Sequence, residues 1–241
     1  MDNSVYIALS KQVAAFRHMN VVANNIANTN TTGFQAERML FNDYMVEDGN
    51  RNDMSFAQDI ATYHDQSPGP MRVTGNPLDM AISGDGYFTL QRPGGGQAYS
   101  RSGNFQLDGE GFIVNAEGLP LLDDGGQPIQ LDPEETDIMV GDNGMMLVGG
   151  QERAIIGMVE FANPQNLEQL GGAVLISNGE QAFPAQNSRM LHGVLEDSNV
   201  SGIHEVVRMT RLSRGVGNTA KFIEVMYDLQ RRASNVYTKE G

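Results

Sequence analysis

Seven positions near the start of the chain, Val5, Leu9, Gln12, Phe16, Met19, Ala23 and Ile26, follow one another at spacings of 4, 3, 4, 3, 4 and 3 residues. Side chains repeating every 3.5 residues lie along one narrow stripe of an α-helix, the geometry of a coiled-coil seam. The same spacing returns at the other end in Met209, Leu212, Val216, Thr219, Ile223, Met226, Gln230 and Ala233. At about 1.5 Å per residue, a helix over residues 4–28 would be ~37 Å long and one over 202–235 ~50 Å. Asn3 and Ser201 are placed to cap the two starts, and Glu205 suits the first-turn dipole of the second. Gln12 and Asn20 dilute the first helix, and Thr219 and Gln230 the second. Gly202, Gly215 and Gly217 each weaken the second by about 1 kcal/mol where they fall inside it. Neither helix is therefore expected to be stable alone, and the pattern predicts fraying until each finds a partner. That partner is either the other helix of the same chain or a neighbouring molecule; pattern alone leaves both open.

The first helix runs into Ala23-Asn24-Asn25-Ile26-Ala27-Asn28-Thr29-Asn30-Thr31-Thr32-Gly33-Phe34. Asparagine and threonine hydrogen-bond to nearby backbone and compete with helix, so their crowding before Gly33 marks a helix end and a change of direction. Residues 35–67 are mixed in texture and include the polar run Asp48-Gly49-Asn50-Arg51-Asn52-Asp53, which reads as a connector, partly ordered at most. From Pro68 onward short apolar runs alternate with turn signals at Gly84-Asp85-Gly86, Pro93-Gly94-Gly95-Gly96, Asp108-Gly109-Glu110-Gly111, Asn115-Ala116-Glu117-Gly118 and Asp123-Asp124-Gly125-Gly126. Turns about 8 to 12 residues apart predict an antiparallel meander, sandwich or barrel. The expected class is α+β: a β-rich centre over 68–197, preceded by an N-terminal helix and asparagine block over 1–34 and the connector 35–67, and followed by a C-terminal helix over 198–241. The two helices are expected to pair as a coiled coil on assembly.

The net charge of −14 is unevenly spread. Residues 1–40 carry +1 and residues 200–241 carry +3, while 41–199 hold six arginines, no lysine and 24 acids. A body this acidic repels phosphate backbones and anionic headgroups, so neither nucleic acid nor a membrane surface is an expected partner. The absence of cysteine rules out disulfides and thiolate metal sites. The first residues lack a basic n-region and the first helix is interrupted by Lys11 and Arg17, so neither a cleaved signal peptide nor a membrane span is expected.

No catalytic constellation is expected either. His18, His64, His192 and His204 are scattered, and His204-Glu205 lacks the second histidine of a zincin helix. There is no Gly-x-Ser-x-Gly elbow and no Gly-x4-Gly-Lys-(Ser/Thr) loop. Asp85, Asp108, Asp123 and Asp124 stand beside glycine in turn signals, where aspartate is the ordinary residue and calcium the exceptional reading. No cofactor, metal or catalytic residue is assigned.

Four ordered blocks carry a resemblance. Ala23 to Phe34 is similar, without a gap, to the N-terminal signature of the bacterial flagellar rod and hook protein family, with Asn24, Asn25, Asn28, Asn30, Thr32, Gly33 and Phe34 at the signature positions. Gly75, Leu78, Asp79, Gly84 and Gly86 fall on the family's T-G-x-x-L-D-x-A-I-x-G-x-G pattern, and Tyr99, Arg101 and Gly103 on its Y-(T/S)-R-x-G element. Asn199, Val200, Glu205 and Arg214 match the start of its C-terminal helix and a later arginine. The chain departs from the family at Gly215-Val216-Gly217, where an Ala/Gln-(Tyr/Phe)-Glu usually follows the arginine. The resemblance implies a structural subunit of the flagellar rod whose terminal helices pack in the inner layer of the tube, the β domain lying outside. With that role, the heptad positions Val5, Leu9, Phe16, Met19, Ala23, Ile26, Met209, Leu212, Val216, Ile223 and Met226 are the candidate assembly contacts. The opening residues, the length and the compact stretch between Phe34 and Pro68 look most like a proximal rod subunit. A distal rod or hook subunit, and an extracytoplasmic binding module with helical docking arms, are the alternatives. Implied partners are other rod subunits, further copies of the chain and the flagellar type III export apparatus; the implied place is the periplasmic rod.

Overall fold

The computed structural model describes residues 2–46, 54–132, 135 and 137–237, with the side chains of residues 2–4, 41–46, 54–60, 230 and 233–237 left aside. The polar run 48–53 lies outside the described residues, as do the side chains of seam positions Gln230 and Ala233. The chain forms two compact units. One comprises residues 1–27, 37–65 and 201–241; the other comprises residues 28–36 and 66–200.

The first unit is built from the two chain ends and a β-ribbon. Helix α1 spans Asp2–Ala27 and helix α2 spans Gly202–Tyr237. The first begins two residues earlier than the cap reading, so Asn3 lies inside it. α1 and α2 pack antiparallel: Ile7, Ala8 and Lys11 share a groove with Asn218, Thr219 and Phe222, while His18 near the other end of α1 lies beside Glu205 and Arg208. The helices thus find one partner within the chain, which supplies the burial that neither stripe provides alone.

The connector expectation for 35–67 is corrected. Its flanks form two strands, β1 (Glu37–Val46) and β2 (Met54–His64), paired antiparallel from Glu37↔His64 to Val46↔Met54 with one register shift between Leu40 and Phe41. The stretch reads as a connector in sequence because its alternation is weak and its charged residues, Glu37, Arg38, Asp43 and Asp59, break the apolar runs. A two-stranded ribbon gains most of its support from backbone pairing and from whatever it rests on, a signal that apolar periodicity does not carry.

The second unit is the β-rich body. Every pairing in it is antiparallel, as expected. The plain meander is not: a six-stranded sheet runs in the spatial order Leu167–Gly171, Val174–Ser177, Gln97–Ser100, Tyr87–Gln91, Met158–Phe161, Ala182–Pro184. Only two of its neighbouring pairs are hairpins, and smaller ribbons pack around it. Residues alternate between its faces. On one, Phe88, Leu90 and Ala98 join Phe105, Ile113 and Leu121 in the main core. The rings of Phe88 and Phe105 meet edge to face at 5.2 Å. On the other, Tyr87, Tyr99, Phe161 and Leu175 form a second cluster, with Phe161 edge-on to both tyrosines at 5.7 and 4.7 Å. The turn aspartates act as turn residues: Asp108 accepts from the N–H groups of Glu110 and Phe112, and Asp123 from that of Gln127.

Candidate assembly interface

α1 is amphipathic twice over. The face turned toward the rest of its unit carries small or modest residues, Ala8, Ala14, Ala15, Val22 and Asn25. That face lies one residue, or about 100° of rotation, from the 3.5-residue seam read from the sequence. The seam residues Leu9 and Phe16 are consequently 50% and 49% exposed, Ala23 is exposed, and Val5, Met19 and Ile26 are half-buried. Tyr6 and Val13 extend this apolar surface. In α2 the sequence reading coincides with the inward face: Met209, Leu212, Val216, Thr219, Ile223 and Met226 are all half-buried. Arg214 is exposed.

The asparagine block has two separate tasks. Asn25, fully buried in the first unit, turns its amide onto the backbone of Glu37, donating from Nδ2 to the carbonyl at 2.9 Å and accepting the N–H at Oδ1 at 2.9 Å. A side-chain amide that pairs both ways with a peptide mimics a neighbouring strand, so Asn25 fixes where β1 begins. Asn28 closes the helix end: its carbonyl accepts from the Thr31 N–H at 3.2 Å and its Oδ1 from the Thr31 hydroxyl at 3.1 Å. Asn24 is half-buried and Asn30 exposed.

Also in the first unit, Glu205 is buried and receives two arginines on Oε1, Arg38 at 3.2 Å and Arg208 at 2.6 Å. Arg38 also reaches Asp65 at 3.4 Å. Glu205 is therefore less a dipole partner than the centre of an ionic cluster joining α2 to β1 and the end of β2. A cavity of about 230 Å³ beside it is lined by His18, Val22, Glu37, Arg38, Tyr63 and Arg208 among others.

Within the body, the stretches by which the chain enters and leaves are tied together. Asn199 accepts the Ala36 N–H at Oδ1 (2.7 Å), donates from Nδ2 to the Ser67 carbonyl (2.8 Å), and sends its own N–H to the Phe34 carbonyl (3.3 Å). Phe34, Ala36 and Val200 pack as a small apolar cluster. Gly33 adopts a φ of +64°, and a Cβ there would lie 2.3 Å from the backbone of Arg101 and of Ser102. Thr32 and Ser102 share a hydroxyl hydrogen bond at 2.6 Å.

Beneath this crossing sits Arg101, 5% exposed, paired with Glu196, 4% exposed. Its Nε and Nη2 donate to Glu196 Oε2, its Nη1 to the carbonyls of Gly84 and Gly86 at 2.6 and 2.8 Å, and its Nη2 again to that of Ile82. The guanidinium also stands 5.7 Å from the centre of the Tyr87 ring. Glu196 returns the favour to the chain entries: Oε1 accepts the Gly69 N–H at 2.9 Å, and its carbonyl the Gly33 N–H at 2.8 Å. Sequence reading singled out Arg101 and missed Glu196, whose burial nothing in its local context announces. Its position between two apolar residues and one further acid, in Val194-Leu195-Glu196-Asp197, is the only trace. Asp79, buried, accepts from Asn76 and Asn104 at 3.0 and 3.1 Å. Gly103 passes so close to Met80 that a Cβ would fall 1.6 Å from its carbonyl oxygen. Gly75 turns beside Gly193, Leu78 packs against the core, and Tyr99 lies in the second cluster.

Two family models match the chain. One, described as the flagellar hook protein FlgE/F/G D1 domain, covers residues 81–148; the other, described as a flagella basal body rod protein, covers residues 6–35. The chain is 36% identical over 222 residues to the flagellar basal-body rod protein FlgF of Mesorhizobium japonicum, covering 91% of each. It is 34% identical over 238 residues to FlgF of Caulobacter vibrioides, covering 97% of each. Against the flagellar basal-body rod protein FlgG of Bacillus subtilis identity is 29% over 269 residues, with 98% of this chain and 99% of the relative covered.

Two outcomes follow from this geometry. Arg101→Met strands the Glu196 carboxylate and three carbonyls in a dry site and should destabilise the body by about 3–5 kcal/mol. Adding Glu196→Gln removes the stranded charge and should restore part of that loss; a double variant no better than the single one in denaturant midpoint contradicts the pairing. His18 and His64 have pKa values lowered chiefly by burial, His18 also by Arg208, against raising influences of Glu205 and Glu37 respectively. The folded first unit therefore favours neutral histidine while the unfolded chain takes up protons from about pH 6.5. Stability is fully present above about pH 6.5 and falls as pH drops through it toward the lower folded values, so melting should come earlier at pH 5 than at pH 7.5. A His18→Gln/His64→Gln double variant should flatten that slope, read by circular dichroism.

Proposed function

Because the chain belongs to the flagellar basal-body rod protein family, we propose that it polymerises through its terminal helices as a structural subunit of the proximal rod, the axial driveshaft of the flagellum. The observation that carries this reading is the exposed apolar face of α1. Leu9 and Phe16 stand half in water on a helix whose other face is already covered. A helix with two apolar faces needs two neighbours, and in a structural family with axial symmetry the second is another subunit. Coiled-coil pairing with neighbouring copies and with other rod proteins would then cover the seam.

The acidic body suits an outer layer in contact with water, and its antiparallel core needs no partner to be covered. The proximal position is favoured by the higher identity to FlgF proteins, 36% and 34%, than to a FlgG protein, 29%. Travel through the flagellar type III apparatus to a periplasmic rod agrees with a cysteine-free chain whose helices are marginal by themselves. No described helix is long and apolar enough to cross a membrane. The role is mechanical rather than catalytic.

Phe16→Asp tests the reading. The side chain is half exposed, so the single chain should fold with unchanged circular dichroism, while incorporation into basal bodies should be lost. Wild-type incorporation would show that the exposed face of α1 is not an assembly surface. Co-purification of the wild-type chain with basal bodies from a strain that cannot add the distal rod places it proximally; recovery only from intact basal bodies would move it to the distal rod or hook.

A further inference from the structure

The sequence holds two Asn-Gly pairs, Asn143-Gly144 and Asn178-Gly179, each in a connection between strands of the body. Asparagine followed by glycine is the pair most open to self-modification, because no side chain on the second residue keeps its backbone nitrogen from the asparagine amide carbon. The reaction needs an exposed asparagine, a following N–H free of other duties, and room for the chain to rearrange. The structure gives these to one pair and withholds them from the other.

At Asn143-Gly144 the nitrogen is engaged. The Gly144 N–H donates to the Gly141 carbonyl at 2.9 Å, and the Gly144 carbonyl accepts the Ile156 N–H at 2.9 Å. Asn143 Oδ1 is itself tied to the Met145 N–H at 3.1 Å. Gly144 is buried, and a Cβ on it would stand 3.1 Å from the Ile156 carbonyl oxygen. At Asn178-Gly179 both residues are exposed, and a Cβ on Gly179 would meet nothing within 4 Å. Among the described residues no acceptor holds the Gly179 N–H. The Asn178 side chain makes one exposed hydrogen bond, from Nδ2 to Glu168 Oε1 at 2.9 Å.

We propose that Asn178 is a site of spontaneous deamidation, selected by the fold, whose product loosens the sheet edge at Leu167–Gly171. The Gly179 nitrogen gives its proton to hydroxide and attacks Cγ of Asn178. The Cγ–Nδ2 bond breaks, and the leaving nitrogen takes a proton from water and departs as ammonia. A second water opens the resulting five-membered imide. Addition at Cγ yields aspartate; addition at the main-chain carbonyl carbon yields isoaspartate, in which the backbone runs through Cβ and Cγ. In sum one water enters and one ammonia leaves, with no oxidation. The loss of ammonia makes the change one-way, so the converted fraction records the age of a copy.

The product meets a like charge. Ser177 pairs with Leu167 and Ile176 with Glu168 where Val174–Ser177 borders Leu167–Gly171, the last strand on that side of the six-stranded sheet. An amide that donates to Glu168 becomes a carboxylate that repels it, and like charges across a strand pair weaken the pairing. Glu180, two residues further on, adds another negative charge rather than relief.

Peptide mapping of the full chain after incubation in mildly alkaline heavy-oxygen water reads the site directly, because each conversion takes its oxygen from solvent. Trypsin separates the two pairs, Asn143 falling in residues 102–153 and Asn178 in 154–189, and fragment ions tell Asn178 from Asn163, Asn166 and Asn187. In the folded chain Asn178 should convert about tenfold or more faster than Asn143, whose reaction must first open two hydrogen bonds. In denaturing urea the two should convert at similar rates. Equal rates in the folded chain, or the same preference in urea, overturns the proposal. Asn178→Asp imitates the product: amide hydrogen exchange over 167–171 should quicken about two- to fivefold, and Glu168→Gln added to it should remove most of that gain. Unchanged exchange in Asn178→Asp, or a gain that Glu168→Gln leaves intact, overturns the coupling to the sheet edge.

Discussion

The buried pair Arg101–Glu196 is the constraint on which the body is organised. A guanidinium has five N–H donors in a rigid fork, and burying it requires an acceptor for each. Here the acceptors are one carboxylate oxygen and the carbonyls of Ile82, Gly84 and Gly86, so the arginine dictates the path of the turn that leads from one core strand into the next. The carboxylate in turn holds Gly69, and the backbone of the same glutamate holds Gly33. Three chain segments far apart in sequence thus depend on one ion pair that is too dry to be replaced piecemeal.

Within each unit several small and amide residues acquire specific reasons. Gly33 and Gly103 are glycines because another backbone passes through the space a side chain would need. Asn25 and Asn199 are asparagines because each must offer a donor and an acceptor to backbone at once, which neither aspartate nor threonine can do in that geometry. Both are clamps on peptide groups rather than helix caps in the usual sense. The helix end itself is left to Asn28 and Thr31.

The helices show how much of a periodic pattern can be read and where it stops. A 3.5-residue repeat says that a helix has an apolar stripe, but not which neighbour covers it. In α2 the stripe and the inward face coincide; in α1 they differ by one residue, because Ala8, Ala14 and Ala15 permit a closer approach than Leu9 and Phe16 would. Small residues make a weak signal in sequence and a tight contact in space. The ribbon β1–β2 was illegible for a related reason: strand pairing is satisfied by backbone, and its side-chain alternation is broken by charge. Glu196 escaped because a buried acid looks like any surface acid until its arginine is found.

By itself, the sequence determined the α+β class, the two terminal helices, the glycine-punctuated antiparallel body and the helix end at the asparagine block. Each of these is local, written in spacing and turn chemistry within a few residues. Only the tertiary structure decided the strand order of the body, the ribbon, the pairing of Arg101 with Glu196, the ionic cluster around Glu205 and the face that α1 leaves in water. Those depend on residues tens to more than a hundred positions apart, brought together by close packing and by the need to satisfy every buried charge and peptide group, and no local pattern encodes which of many compatible partners is chosen.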